Sequence, residues 1–230
     1  MPLTSSRRAA LLLLADGRFP AGAHAHSGGA EAAVRAGRIQ GPATLAAFCE
    51  GRLHTTGLVA AALAAAACAG CDPYALDAAA DARTPAPALR DTARKLGRQL
   101  LRAARATWPS PELDAVATAR PRGLHQPVVL GLTARAAGLA PRDAAQTAAY
   151  ESCGGPATAA VRLLSLDPFD ATAVLAGLAD AMDAVAERAT AAADAVRATG
   201  DTGRLPAASA PLLDITAQQH AAWPVRLFAS

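Results

Sequence analysis

The stretch Ala88-Leu-Arg-Asp-Thr-Ala-Arg-Lys-Leu-Gly-Arg-Gln-Leu-Leu-Arg-Ala-Ala-Arg-Ala-Thr107 decides the fold class. Its apolar positions Leu89, Ala93, Leu96, Leu100 and Ala103 recur at alternating four- and three-residue intervals, the spacing of one face of an α-helix. The opposite face carries Arg90, Arg94, Arg98, Arg102 and Arg105 and reads as a solvated surface. Outward from this segment, nothing alternates like a strand over six residues, while helical patterns recur. Alanine makes up more than a quarter of the 230 residues and aromatics only 3%. Alanine is the best helix former, and a core of Ala, Leu and Val requires its helices to approach closely.

Helices are predicted over Ser6–Ala15, Gly28–Ala36, Pro42 to about Cys68, Pro73–Ala82, Ala88–Thr107, Val128–Gly138, Pro141–Leu164, Asp170–Thr199 and Ala207–Ala221. Gly51 and Gly57 are expected to allow close packing. Trp108–Gly123, with Pro109, Pro111 and Pro121, reads as a loop with one helical turn. Gly154-Gly155-Pro156 should kink or break its helix. No linker separates two domains and no internal repeat is found. The expectation is an all-α, single helical-bundle domain of nine or ten helices, spanning 1–230.

Several functions are disfavoured. Arginines are scattered, Lys95 is the sole lysine and the net charge is only +3, so no basic stripe for nucleic acid forms. The most apolar run, Leu58 to Ala69, falls short of the roughly 20 residues that cross a bilayer. Leu11–Leu14 is too short for a signal-peptide core. Cys49, Cys68, Cys71 and Cys153 form no disulfide framework, and reduced thiols in the cytoplasm are the simplest account. No phosphate-binding loop, nucleophile elbow or H-E-x-x-H motif occurs. Cys68-x-x-Cys71 has no second such pair and reads as two small apolar residues.

His24-Ala25-His26 stands out. In an extended loop, residues two apart point the same way, so both imidazoles could approach one metal ion. The alternative is a polar loop whose histidines bond to backbone. His54, His125 and His220 stand singly. The apolar tail Trp223–Ser230 is the other unusual feature, because exposed hydrophobic ends suggest docking back onto the domain or insertion into a partner.

Four blocks in register resemble the family of the urease accessory protein UreF. They are Leu11-Leu-Leu-Leu-Ala-Asp-Gly-Arg-Phe-Pro20-Ala-Gly with Ser27-Gly-Gly-Ala-Glu31; His125-Gln-Pro-Val-Val-Leu-Gly131 with Gly138-Leu139; Tyr150 with Ala159-Ala-Val-Arg162-Leu-Leu-Ser-Leu166; and Pro211-Leu-Leu-Asp214-Ile, His220 and Arg226-Leu-Phe228. The resemblance implies an all-α, dimer-forming scaffold without enzymatic activity, located in the cytoplasm. Such a scaffold bridges a UreD-type (UreH-type) protein and the GTPase UreG, so that nickel is inserted into apo-urease. It implies no stably bound cofactor, with nickel possible in transit. By similarity, partner-binding residues are Arg18, Phe19, Pro20, His24, His26, Ser27 and Glu31 near the N-terminus, Tyr150 and Arg162 in mid-chain, and His220, Arg226, Leu227 and Phe228 in and before the tail 222–230. Tyr150 and Arg162 would serve the dimer and the UreG-facing surface, and the loop and tail would engage UreD. Where the family has a Gly-aromatic-x-aromatic run this chain has Ala23-His24-Ala25-His26, so the alternative is a helical nickel chaperone that uses His24 and His26 directly.

Overall fold

The computed structural model describes residues 5–229, and among them every regular element is helical. In chain order they are α1 (Ser5–Ala15), α2 (Ala30–Arg35), α3 (Pro42–Arg52), α4 (Leu58–Cys68), α5 (Pro73–Ala82), α6 (Pro87–Thr107), α7 (Pro111–Ala119), α8 (Gln126–Ala136), α9 (Pro141–Leu164), α10 (Pro168–Gly177), α11 (Ala179–Thr199) and α12 (Pro211–Ala221). Because α3 and α4 run into one another through a π turn, Leu53–Gly57, the rods number eleven, close to the nine or ten predicted.

The centre is α4. Apart from Ala60, every residue from Leu58 to Cys68 is buried, as expected of a helix that is apolar all round. It packs against α8, α9 and α11. Alanine gives up no side-chain rotamer entropy on burial, but its short side chain fills space only if neighbours come close. Gly131 on α8 shows how close: a Cβ there would overlap the carbonyl oxygen of Ala64 and stand 2.7 Å from the Ala67 Cβ.

Proline opens α3, α5, α6, α7, α9, α10 and α12. At the first helical position the missing N–H costs nothing, since no intrahelical acceptor faces it. Asp72 and Asp167 cap α5 and α10 with their carboxylates. This logic corrects the reading of Trp108–Gly123 as a loop with one turn, because Pro111 starts α7 and does not break it.

Pro156 gives a second correction, since α9 runs unbroken through it from Pro141 to Leu164. A proline four residues on leaves the Ser152 carbonyl without its helical donor. The Arg52 guanidinium supplies one, Nε donating to Ser152 O at 2.9 Å. The predicted long helix from Asp170 to Thr199 is two helices, divided at Leu178, whose ψ of 3° leaves the helical path. Its apolar side chains keep the same period on both sides of the bend, so the pattern conceals it. Of the two glycines expected to permit close packing, Gly57 does so, with a Cβ falling 2.8 Å from Ser152 Oγ, whereas a Cβ on Gly51 would meet nothing within 4 Å.

The arginine face of α6 is not wholly solvated. Arg94 forks onto Asp81 at 2.8 and 2.7 Å and reaches Asp77 at 3.0 Å, and Asp77 in turn accepts from the buried His125 N–H at 2.8 Å. This network ties α5, α6 and the start of α8. The apolar stripe also divides: Leu100 and Ala103 enter the core, while Leu89, Ala93 and Leu96 line a cavity.

Gly131 and Gly51 should therefore respond to alanine with opposite signs. Gly131→Ala is expected to cost about 1–3 kcal/mol through overpacking, and Gly51→Ala to stabilise by about 0.5–1 kcal/mol through helix propensity. Denaturant melts of both variants check this; a neutral Gly131→Ala would contradict the close approach.

Candidate partner-binding face

The two ends of the chain meet at Glu31. Gly28 and Gly29 take left-handed φ values of 59° and 91°, which turn the N-terminal loop sharply into α2. Ser27, buried, accepts the Glu31 N–H on its Oγ at 3.2 Å. Glu31 is itself buried, and its carboxylate faces the tail and not solvent. Oε1 accepts the Leu227 N–H at 2.8 Å; Oε2 accepts the Phe228 N–H at 3.1 Å and meets His220 Nε2 at 2.8 Å. A carboxylate only accepts, so the imidazole of His220, buried on α12, donates here. Desolvation works to raise the Glu31 pKa, but the bonds from Leu227, His220 and Phe228 outweigh it and hold the carboxyl below its ordinary value.

Further contacts fix the tail. Ala229 N–H donates to Ala25 O at 2.8 Å. Phe228 is buried, and the Arg162 guanidinium lies over its ring, 4.9 Å from the centroid. Trp223 is flanked by Arg35, 4.3 Å over its ring, and by His220, at a centroid distance of 4.7 Å. On the loop side, Phe19 is buried and stacks on Trp108 with centroids 5.7 Å apart. Docking back onto the domain is thus what the tail backbone does, while its side chains divide: Phe228 points in, and Val225 and Leu227 are 78% and 69% exposed. Leu212 and Ile215, one turn apart on α12, are also exposed.

The structure brings Ser27, Glu31, Arg162, His220, Leu227 and Phe228 into this one region, while Phe19 packs elsewhere, on Trp108 at the end of α6. Arg18 is exposed and pairs with Asp16 at 2.7 Å, and its hydrogen bonds hold the Asp16 carboxyl down at about 2. Pro20 and Arg226 are exposed. Tyr150, half a helix away on α9, is exposed and joins none of these contacts. The extended geometry expected of His24 and His26 is not found: Ala23–Ala25 form a 3-10 turn, with His24 exposed and His26 half-buried against the cavity. Among the described residues no group of three or more His, Cys, Asp or Glu side chains is placed to hold a metal ion. Cys49 and Cys153 are free and buried, each Sγ facing the other's backbone carbonyl; Cys68 donates to Leu139 O at 3.5 Å and its thiol is pushed up to about 12, chiefly by burial.

Sequence reasoning placed Glu31 only among the residues that the resemblance implies bind a partner, and missed that it holds the chain's own tail. It also missed a cavity of about 540 Å³ between α12 and the core, into which Arg52, Thr56, Lys95 and Glu151 project.

Glu31→Gln should loosen the tail. Hydrogen bonds to a charged group contribute about 1.5–3 kcal/mol each, so hydrogen exchange at the Leu227 and Phe228 amides is expected to quicken at least tenfold. Since the folded carboxyl titrates below the unfolded one, the anchor is complete above the ordinary glutamate range, about pH 4.3, and fades as the pH falls below it. Unchanged exchange in the variant, or no loss of protection in acid, would remove Glu31 from this role.

Comparison with known proteins places the fold in a family. A family model described as UreF matches residues 39–179. The chain is 43% identical over 229 residues to the urease accessory protein UreF of Mycolicibacterium vanbaalenii, covering 98% of this chain and all of that protein. It is 45% identical over 221 residues to that of Mycobacterium sp. strain JLS, covering 96% and 97%. To that of Mycobacterium tuberculosis strain H37Rv it is 43% identical over 215 residues, covering 92% and 93%. These matches extend past the family model at both ends. On this likeness over nearly its whole length, the chain belongs to the UreF family.

Proposed function

We propose that the protein is a urease accessory protein that works as a non-catalytic scaffold, bridging a UreD-type (UreH-type) protein and a UreG-type GTPase so that nickel is inserted into apo-urease. The reading takes its class from the family. The observation that carries it in this molecule is the pinned tail, whose backbone is held by Glu31 while Val225 and Leu227 remain outside. A flexible apolar end would lose much entropy on binding; a segment already ordered loses less. Together with Leu212 and Ile215 on α12, these side chains offer apolar anchors on a fixed frame, and this face is assigned to the UreD-type partner.

The outer side of α9, with Tyr150, and the exposed Phe169 on α10 are assigned to contacts with UreG and with a second copy of the chain. Arg162 is drawn into the tail anchor and serves the first partner. Among the described residues no helix is long and apolar enough to cross a membrane, and a cytoplasmic setting belongs to the proposal. Nickel is cargo here and not a resident cofactor.

Val225→Asp/Leu227→Asp should fold as the parent does, since both side chains are exposed, yet bind the UreD-type protein at least tenfold more weakly in co-expression pull-downs. Truncated anchors at interface centres commonly cost 1–3 kcal/mol or more. Full binding by this variant would sink the assignment of the face. Calorimetry with Ni²⁺ on the parent and on His24→Ala/His26→Ala decides the role of the loop. The scaffold reading expects no histidine-dependent heat, whereas a stoichiometric, histidine-dependent signal would replace it with a metal-holding chaperone.

A further inference from the structure

The cavity beneath α12 has a composition that the scaffold role does not use. Arg52 enters it from the end of α3, Thr56 from the π turn, and Lys95 from α6. Arg52 is half-buried. It spends Nε on Ser152 O, and among the described residues neither it nor Lys95 has a carboxylate oxygen within 4 Å. The two cations lie toward the same end. Arg52 borders Gly28, and Lys95 is near enough to His26, two residues earlier, for its charge to help depress that imidazole's pKa, after desolvation and His24. Thr56 Oγ1 is shut off from solvent with no hydrogen-bond partner among the described residues.

The remaining wall is largely hydrocarbon: Val59 and Leu63 from α4, Leu89 and Leu96 from α6, Leu213 from α12. A desolvated cation without a counter-ion and a buried hydroxyl without a partner are both costly, and each is relieved by an anionic acceptor. An inorganic anion would leave the apolar wall uncovered. A neutral apolar molecule would leave the cations unmatched. Asp91 and Asp214 border the cavity together with Arg83, which donates to backbone carbonyls, and the exposed Arg226. These charges balance, and Lys95 is exposed, so the half-buried Arg52 is the cation that a single negative charge would match.

We propose that this cavity binds a small organic monocarboxylate, with its head on Arg52, Thr56 and Lys95 and its hydrocarbon body between α4 and α6 beneath α12. Glu151, on the α9 wall, does not defeat the site: burial pushes its carboxyl up to about 7, against the hydrogen bond from Gln126, so near neutral pH a large share of it is uncharged.

The test is titration calorimetry of the full chain with sodium octanoate, using octanol and sodium sulfate as comparison probes. One octanoate per chain is expected, with octanol and sulfate each at least tenfold weaker. Thr56→Val and Lys95→Met should each weaken octanoate at least threefold without lowering the melting temperature; Thr56→Val removes an unpartnered buried hydroxyl and should raise it if anything. Arg52 is left intact because its bond to Ser152 supports α9. The proposal is overturned if octanol binds as tightly, which marks a charge-blind crevice, or if sulfate does, which removes the hydrocarbon body. It is overturned equally if both variants bind like the parent, or if octanoate does not bind at millimolar concentration.

Discussion

A helix with alanine at seven of its eleven positions can be the centre of a domain only if everything around it comes close, and that constraint governs this structure. The surface α4 offers is nearly smooth, so dispersion contacts accumulate through short distance and not through interlocking side chains. Backbones therefore carry much of the fit. Gly131 removes a side chain where α8 crosses α4, and Gly57 does the same where the π turn meets α9. Larger side chains fill the space around it, Leu130 and Leu132 on α8 and Leu100 and Leu101 on α6, while the aromatic pairs lie further out, Phe19 against Trp108 and Phe228 beneath Arg162.

The proposed recognition face lies outside this bundle. The bundle supplies rigidity and little chemical variety, since its interior is chiefly Ala, Leu and Val and, among the described residues, seven of its twelve helices start on proline. Variety lies in the loop after α1 and in the segment after α12, which carry a disproportionate share of the aromatic and histidine residues. Glu31 joins them with one carboxylate and three donors, a compact polar centre that exists because every lone pair facing the tail has a partner. Its neighbours hold their orientations through stacking of charge on rings, Arg35 on Trp223 and Arg162 on Phe228.

How much of this was legible in the sequence depended on whether the signal was local. Helical class, the capping of α5 at Asp72-Pro73 and the apolar character of α4 could all be read from periods and turn residues. Prolines were read too often as breakers, because whether Pro111 or Pro156 ends a helix depends on what lies elsewhere: a free cap position in one case, the Arg52 side chain in the other. The proposed partner-binding residues came from resemblance, and the structure shows why local reasoning could not have grouped them. Glu31, Arg162 and Phe228 are far apart in the chain and carry no shared pattern. The bend at Leu178 was hidden for a different reason, since the apolar period runs through it unchanged.

The bonds from Leu227 and Phe228 to Glu31 close loops of 196 and 197 residues. Closing so long a loop is entropically unfavourable and must follow the formation of nearer contacts. During synthesis from the N-terminus, the helical core can assemble while the receiving carboxylate of Glu31 waits for residues that have not yet been made. The composite face is therefore completed only after the helical core beneath it. A partner that requires this face would pass over chains in which Glu31 and the tail have not yet met, so that its binding doubles as an inspection of folding.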